Sequence, residues 1–202
     1  KVDRLEALKR RRKRKKDKDP IPLLSLSDPN DLAVEALRSL RTSLHFAMME
    51  ASNKVLMVSG PSPGVGKSFV SANLAAVLAQ TGQKVVVVDA DMRKGNMHRF
   101  FENRNDAGLS DYLSGQVEQR AIVQSTQMEH LAFISRGQVP PNPSELLMHD
   151  RFKALMESLS SQYDIVLVDT PPILAVTDAA IVGQLAGSSL IVTRFGVNSV
   201  KE

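Results

Sequence analysis

Five short runs constrain this chain more than any other feature of it: "KVLMVSG", "KVVVVDAD", "LAFISRG", "YDIVLVD" and "SSLIVTR". Each is almost continuously apolar and closes on turn-forming or charged residues. A strand with one face in water alternates apolar and polar positions. Runs without that alternation suit strands covered on both faces, the situation inside a parallel sheet. Between them lie helical patterns at about 67–80, 110–113, 144–161 and 177–185. Strand runs alternating with helices predict a doubly wound, mainly parallel α/β sheet. At 202 residues the chain fits one domain with a sizeable core of its own.

The N-terminal end has a different character. Residues 1–18 hold eleven Lys/Arg against three acids, a local balance of +8, so with an overall charge of +4 the remainder sums to −4. A mildly acidic body therefore follows a basic arm, densest in "KRRRKRKK" from Lys9 to Lys16. Such a run reads as a self-repelling tail able to bind nucleic acid or an anionic membrane surface electrostatically, and charge alone does not choose between them. Residues 19–30, with Pro20, Pro22 and Pro29, read as an extended linker. Asp28 before Pro29 predicts a helix start, and the helix then runs to about Glu50 with Leu37, Leu40, Leu44 and Ala47 as its buried stripe. The body thus spans 31–202. There is no cysteine, which excludes disulfides, thiolate metal sites, iron–sulfur clusters and cysteine nucleophiles within the chain. No apolar run approaches the roughly 18–20 residues of a membrane span, and no signal-peptide pattern opens the sequence. The closing "VNSVKE" reads as a helix just beginning, and the natural protein is expected to continue.

"VLMVSGPSPGVGKSF" (55–69) lies where a phosphate loop must lie, between a strand run and a helix. The pattern G-x-x-x-x-G-K-[ST] has Pro61 in its first place, but Gly60, Gly64 and Gly66 supply flexibility around it. Backbone N–H groups from Gly64 through Val65, Gly66, Lys67, Ser68 and Phe69 can turn toward a phosphate at a helix N-terminus. Lys67 can reach the β- and γ-phosphates, and the Ser68 hydroxyl is placed to ligate Mg²⁺. Asp89 and Asp91 close the run "VVVVDAD", where i, i+2 spacing predicts both side chains on one side, facing the phosphates. Asp169 ends "DIVLVD", the place of a magnesium-orienting acid. Three strand-end carboxylates beside a phosphate loop point to a nucleotide site binding ATP and Mg²⁺.

A second "hhhhDxD" motif is similar to those of the deviant-Walker, ParA/MinD-like group of P-loop NTPases. The partitioning ATPases of that group carry a signature lysine where this chain has Ser62, followed by Pro63. From about Leu32 to Glu202 the chain resembles the bacterial tyrosine kinase (BY-kinase) family, the cytoplasmic domains of Wzc-type polysaccharide co-polymerases. The resemblance rests on "SGPSPGVGKSF", "VVDADMRKG", "VLVDTPPILAVTDA" and "RGQVPPNPSELL", and on Glu35, Arg38 and Arg41 as an E-x-x-R-x-x-R motif. By spacing alone those three residues span about 120° of one helix face and read as a solvated intrahelical Glu–Arg pair, a reading that the resemblance reverses.

The resemblance implies a tyrosine autokinase with Lys67, Asp89 and Asp91 catalytic, Asp91 orienting or deprotonating the acceptor hydroxyl. It implies Ser68, Asp89 and Asp169 around Mg²⁺, and Glu35, Arg38 and Arg41 in a ring of homo-oligomers. It further implies partners: a neighbouring subunit's tyrosine tail, a cognate tyrosine phosphatase and the polysaccharide machinery, with no nucleic acid. The arm would lie at the cytoplasmic face of the bacterial inner membrane. Tyr112 and Tyr163 are the only tyrosines, and neither reads as a phosphosite. Where some relatives carry a regulatory tyrosine this chain has Asn96. An ATPase switch of the ParA/MinD type and a scaffold gated by nucleotide remain as alternative readings.

Overall fold

The computed structural model describes residues 19–196 and residue 198. The basic arm at Lys9 to Lys16 and, apart from Asn198, the helix expected over 197–202 lie outside the described residues. Within them the strands are β1 (Val55–Ser59), β2 (Val85–Asp89), β3 (Gln124–Ser125), β4 (Leu131–Ile134), β5 (Ile165–Asp169) and β6 (Ser188–Ile191). They form one sheet in the order β3-β4-β2-β5-β1-β6. All pairings are parallel except β3 with β4. The helices are α1 (Leu24–Ser27), α2 (Leu32–Met49), α3 (Lys67–Ala79), α4 (Leu109–Leu113), α5 (Gln119–Ile122), α6 (Pro143–Met148), α7 (Asp150–Gln162) and α8 (Asp178–Gly183).

The apolar runs have their cause in the layering. Side chains alternate across a strand, and Val85 and Val87 join Leu56, Val58, Phe133 and Leu167 on one face of the sheet. Val86 and Val88 join Val55, Met57, Ile134, Val166 and Val168 on the other. The first face packs against α3, and α2 covers α3 through Val34, Leu37 and Leu44. The second is covered by Leu147 of α6, Phe152, Leu155 and Leu159 of α7, and Val182 of α8. With helices on both sides the central strands β1, β2 and β5 are buried at every position, whereas β6 at the sheet edge is half-exposed, so "SSLIVTR" is not covered on both faces as expected. Helix α3 is buried from Ser71 to Ala79 because it is sandwiched between the sheet and α2, and its run of alanines lets both approach. Phe133 is fully buried with its ring 4.9 Å from that of Phe101. Phe133→Ala is expected to cost about 3–5 kcal/mol, measured as a lower urea midpoint at unchanged slope. A loss below about 1 kcal/mol would mean that the core collapses around the gap.

Several boundaries differ from expectation. Helix α2 starts later: Asp31, not Asp28, is its cap, accepting the Ala33 N–H at 2.7 Å. Asp28 instead ends α1, a turn inside the segment read as an extended linker. That segment is docked, because Leu23 is buried and the Ser25 N–H donates to Asn73 Oδ1 of α3 at 3.1 Å. On α2, Ala47 is exposed, Leu40 only half-buried, and Val34 lies in the stripe instead. The single helix expected over 144–161 is two, broken at His149. Its backbone is extended, and its Nδ1 caps α7 by accepting the Arg151 N–H at 3.2 Å. Among the described residues no helix is long and apolar enough to cross a membrane.

Candidate active site

The phosphate loop connects β1 to α3. Gly64 and Gly66 have φ of +79° and +102°, the left-handed region where a side chain is strained. Gly66 is the N-cap of α3 and has no side chain to occupy the first-turn N–H groups, which stay available to an anion. Pro61 is accommodated because the close approach falls one residue earlier: a Cβ on Gly60 would lie 2.6 Å from the Val192 carbonyl and 2.9 Å from Val65 Cγ2. Lys67 is buried along its stem, which passes over Gly60. Phe69 contributes backbone alone. Its side chain lines an apolar groove with Leu37, Leu40, Leu190 and Val192.

Asp89 and Asp169 are Cα partners across β2 and β5. Strand alternation turns both toward α3, on the face of Val87 and Leu167. Each is fully buried or nearly so. The Ser68 hydroxyl donates to Asp169 Oδ2 at 2.8 Å and the Ser71 hydroxyl to Oδ1 at 2.7 Å. Ser71 was not among the expected site residues, although i, i+3 spacing on a helix brings it beside Ser68. Asp89 accepts the Met97 N–H at 3.1 Å. Burial, then the charge of Asp169, pushes Asp89 well above the usual carboxylate range, against the pull of the Met97 N–H. Burial pushes Asp169 up to about 6, while the Ser71 and Ser68 hydroxyls and the Lys67 ammonium pull it back. Two buried carboxylates raised by burial and by like charge are short of positive charge, and a hard dication would supply it.

Asp91 is held by a turn rather than by its strand. It lies beyond the end of β2, so strand alternation does not aim it. Its Oδ1 instead accepts the N–H groups of Arg93 (3.3 Å) and Lys94 (2.9 Å), closing a turn on itself. It remains near enough to raise both Asp89 and Asp169 electrostatically. Among the described residues no three His, Cys, Asp or Glu side chains form a metal cage. That suits Mg²⁺, which is held by few protein groups together with waters and phosphate oxygens.

The remaining expected residues lie elsewhere. Glu35 and Arg38 form an ion pair on α2, and Arg41 is half-buried, lining a cleft of about 550 Å³ with Phe46, Met49 and Lys54. Tyr112 is buried with the Arg151 guanidinium 4.6 Å above its ring. Tyr163 is half-buried, and burial raises its phenol.

Comparison with known proteins matches this geometry. An AAA domain family model covers residues 53–196. The tyrosine-protein kinase wzc of Salmonella typhimurium is 58% identical over 180 residues, 89% of this chain and 25% of that protein. The chain thus spans about a quarter of the length of the curated relatives it matches. The solved kinase domain of Escherichia coli tyrosine kinase ETK is 54% identical with a TM-score of 0.87, over 91% of this chain and 72% of that one. Pyrococcus horikoshii MinD with Mg-ADP has a TM-score of 0.60 at 24% identity over 69% of this chain and 57% of its own, a likeness of fold alone. A phosphate loop and paired strand-end carboxylates, carried on a backbone that follows a kinase domain at more than half identity, make this chain a member of the bacterial tyrosine kinase family.

Proposed function

We propose that the chain is an ATP-dependent tyrosine autokinase domain acting at the cytoplasmic face of the bacterial inner membrane in capsule or exopolysaccharide export. The observation that carries this is the in-register Asp89–Asp169 pair, with Ser68 of the phosphate loop hydrogen-bonded to Asp169. The substrate is ATP, and its γ-phosphoryl passes in line to a tyrosine hydroxyl. The P–O bond to ADP breaks as the new P–O bond forms, and the hydroxyl proton leaves to Asp91 or water. Bound Mg²⁺ supplies charge neutralisation at the phosphate oxygens. The chain's own groups do the rest. The N–H groups of Gly64 to Ser68 and the Lys67 ammonium hold the phosphates. Ser68, Asp89 and Asp169 would hold the metal, and Asp91 would orient the acceptor. Such transfer needs positioning and charge stabilisation above all.

Tyr163 lies at the N-terminal end of β5, away from the strand ends that carry Asp89 and Asp169, and Tyr112 is buried under the Arg151 guanidinium, which supports an acceptor on another copy. We assign Glu35, Arg38 and Arg41 to the contact between copies. Arg38→Glu/Arg41→Glu is expected to give a folded monomer that binds nucleotide normally. Trans-phosphorylation should fall at least about tenfold at micromolar protein, since the acceptor loses its effective concentration. Light scattering and anti-phosphotyrosine blotting of the full-length protein measure both. An unchanged oligomer would make these residues a solvated surface pair. The kinase reading itself is tested by phosphoamino-acid analysis of full-length protein with labelled ATP, using Lys67→Met as control. Free phosphate without phosphotyrosine would favour an ATPase switch.

A further inference from the structure

One charged cluster outside the carboxylate pair is left unused by this mechanism, and it joins three separate segments. Asp178, the first residue of α8, is fully buried. Its Oδ2 accepts Arg93 Nε at 3.1 Å and its Oδ1 accepts Arg93 Nη2 at 3.2 Å. The Ser144 hydroxyl donates to the same Oδ1 at 2.6 Å and accepts from Arg93 Nη2 at 3.2 Å. The three side chains therefore close a ring of hydrogen bonds around a forked Arg–carboxylate pair, the strongest and most directional geometry such a pair can take.

Arg93 has a second task in its backbone. Its N–H, with that of Lys94, holds the Asp91 carboxylate. The side chain of the same residue is fixed to Asp178. Asp91 sits past the end of its strand, so nothing in the sheet aims it. The turn aims it, and the turn is tied down through Arg93. A second tie comes from "RGQVPPNPSELL", the motif that contributes Ser144. Arg136 at its start donates from Nε to the Gly95 carbonyl at 2.7 Å, and the Gly95 N–H returns to the Asp91 carbonyl at 2.7 Å.

We propose that Asp178 is a positioning residue for the phosphoryl transfer. Through Arg93, with Ser144 as the third member, it holds the Asp91 turn beside the Asp89–Asp169 pair. This rests on the kinase reading for the role of Asp91, while the anchoring of the turn does not. An exposed arginine alone would sample many directions. A buried carboxylate that accepts from both its Nε and Nη2 fixes one, and the fixed direction propagates over two residues to the Asp91 carboxylate.

The test uses full-length protein with Asp178→Asn, Ser144→Ala, and the two combined. Asp178→Asn keeps the volume but removes the charge and one acceptor. The turnover number for trans-phosphorylation should fall about ten- to a hundredfold, the effect of misplacing a reacting group by about 1 Å, while Mg-ATP affinity stays within about threefold. Ser144→Ala should lose less, and the double variant no more than Asp178→Asn, because both act through one anchor. Amide exchange at Arg93 and Lys94 should quicken at least about tenfold. Unchanged turnover in the folded variant would overturn the proposal, as would Mg-ATP affinity falling in step with turnover. If Asp178→Asn fails to fold, Ser144→Ala decides by the same readouts. Were the wild type to yield no phosphotyrosine, the kinase reading would fail. Accelerated exchange at Arg93 and Lys94 would still support the anchor, and unaltered exchange would refute it.

Discussion

Asp169→Asn should weaken Mg²⁺-dependent nucleotide binding by about 10–100-fold, the usual loss on removing a group that orients a metal's shell, and yet make the metal-free protein melt higher. The two effects share a cause. Burial lifts Asp169 to about 6, from an ordinary value of about 4. Between those values the folded chain binds a proton that the unfolded chain has released, so stability falls as pH rises through about 4–6. Above that window the fold carries a buried charge at a cost on the order of 1–3 kcal/mol. Asparagine removes the charge, and the Ser68 and Ser71 hydroxyls can turn to suit an amide. A gain of several degrees follows, at about 2–4 °C per kcal/mol for a chain of this size. It should shrink at pH 5, where Asp169 is already protonated. Thermal scans at both pH values, with calorimetry in the presence and absence of Mg²⁺, measure all of this. Equal losses of affinity with and without the metal, or no change in melting at pH 8, would show that Asp169 does not act as a strained cation site.

Gly95→Ala is expected to be nearly as damaging, by a steric route. A Cβ there would lie 2.5 Å from the Asp91 carbonyl and 2.6 Å from Asp89 Cγ, and closer still to Asp89 Oδ1. The turn cannot retreat, since the Gly95 N–H is held by the Asp91 carbonyl and its own carbonyl by Arg136. Asp89 must rotate instead, leaving the Met97 N–H. Activity should drop about a hundredfold, with a stability loss of about 1–3 kcal/mol from overpacking. Steady-state phosphorylation and urea unfolding of the variant check both. Activity within about threefold of wild type would mean that the turn yields and that the geometry of Asp89 tolerates it.

Much of this was legible beforehand because its cause is local. Strands covered on both faces leave continuous apolar runs, and a carboxylate closing such a run is visible without coordinates, as Asp89 and Asp169 were. Ser71 could have been found by helical spacing from Ser68. The Asp178–Arg93–Ser144 ring could not, since its members are 85 and 34 residues apart and meet only when two helix starts and a turn fold together. The means of holding Asp91 was not legible, because period-two reasoning stops where the strand stops, at Asp89, and a turn closed by the Arg93 and Lys94 N–H groups takes over. Asp28 and Asp31 are equally good caps in the sequence. The choice fell to tertiary packing, which draws Leu23 and Ser25 onto α3 and spends Asp28 on ending a turn. His149 broke a helix by capping with a ring nitrogen, which no residue-type rule for helix starts includes.

The pairing of Asp89 with Asp169 bears on how such chains can diverge. The two sit opposite each other on neighbouring parallel strands, whose separation is fixed by backbone hydrogen bonds at about 4.8 Å. A residue inserted into or deleted from either five-residue strand would swing its aspartate to the opposite face of the sheet. There it would meet the Val86, Val88 and Val166 layer under α7. Length changes in the loops joining the two strands, outside β4 and the segment carrying Arg136 and Ser144, carry no such consequence, because the ladder restores the register wherever the chain returns to it. Insertions and deletions should therefore collect in those loops across descendants of this gene, while the two pentads keep their length even where their valines are exchanged.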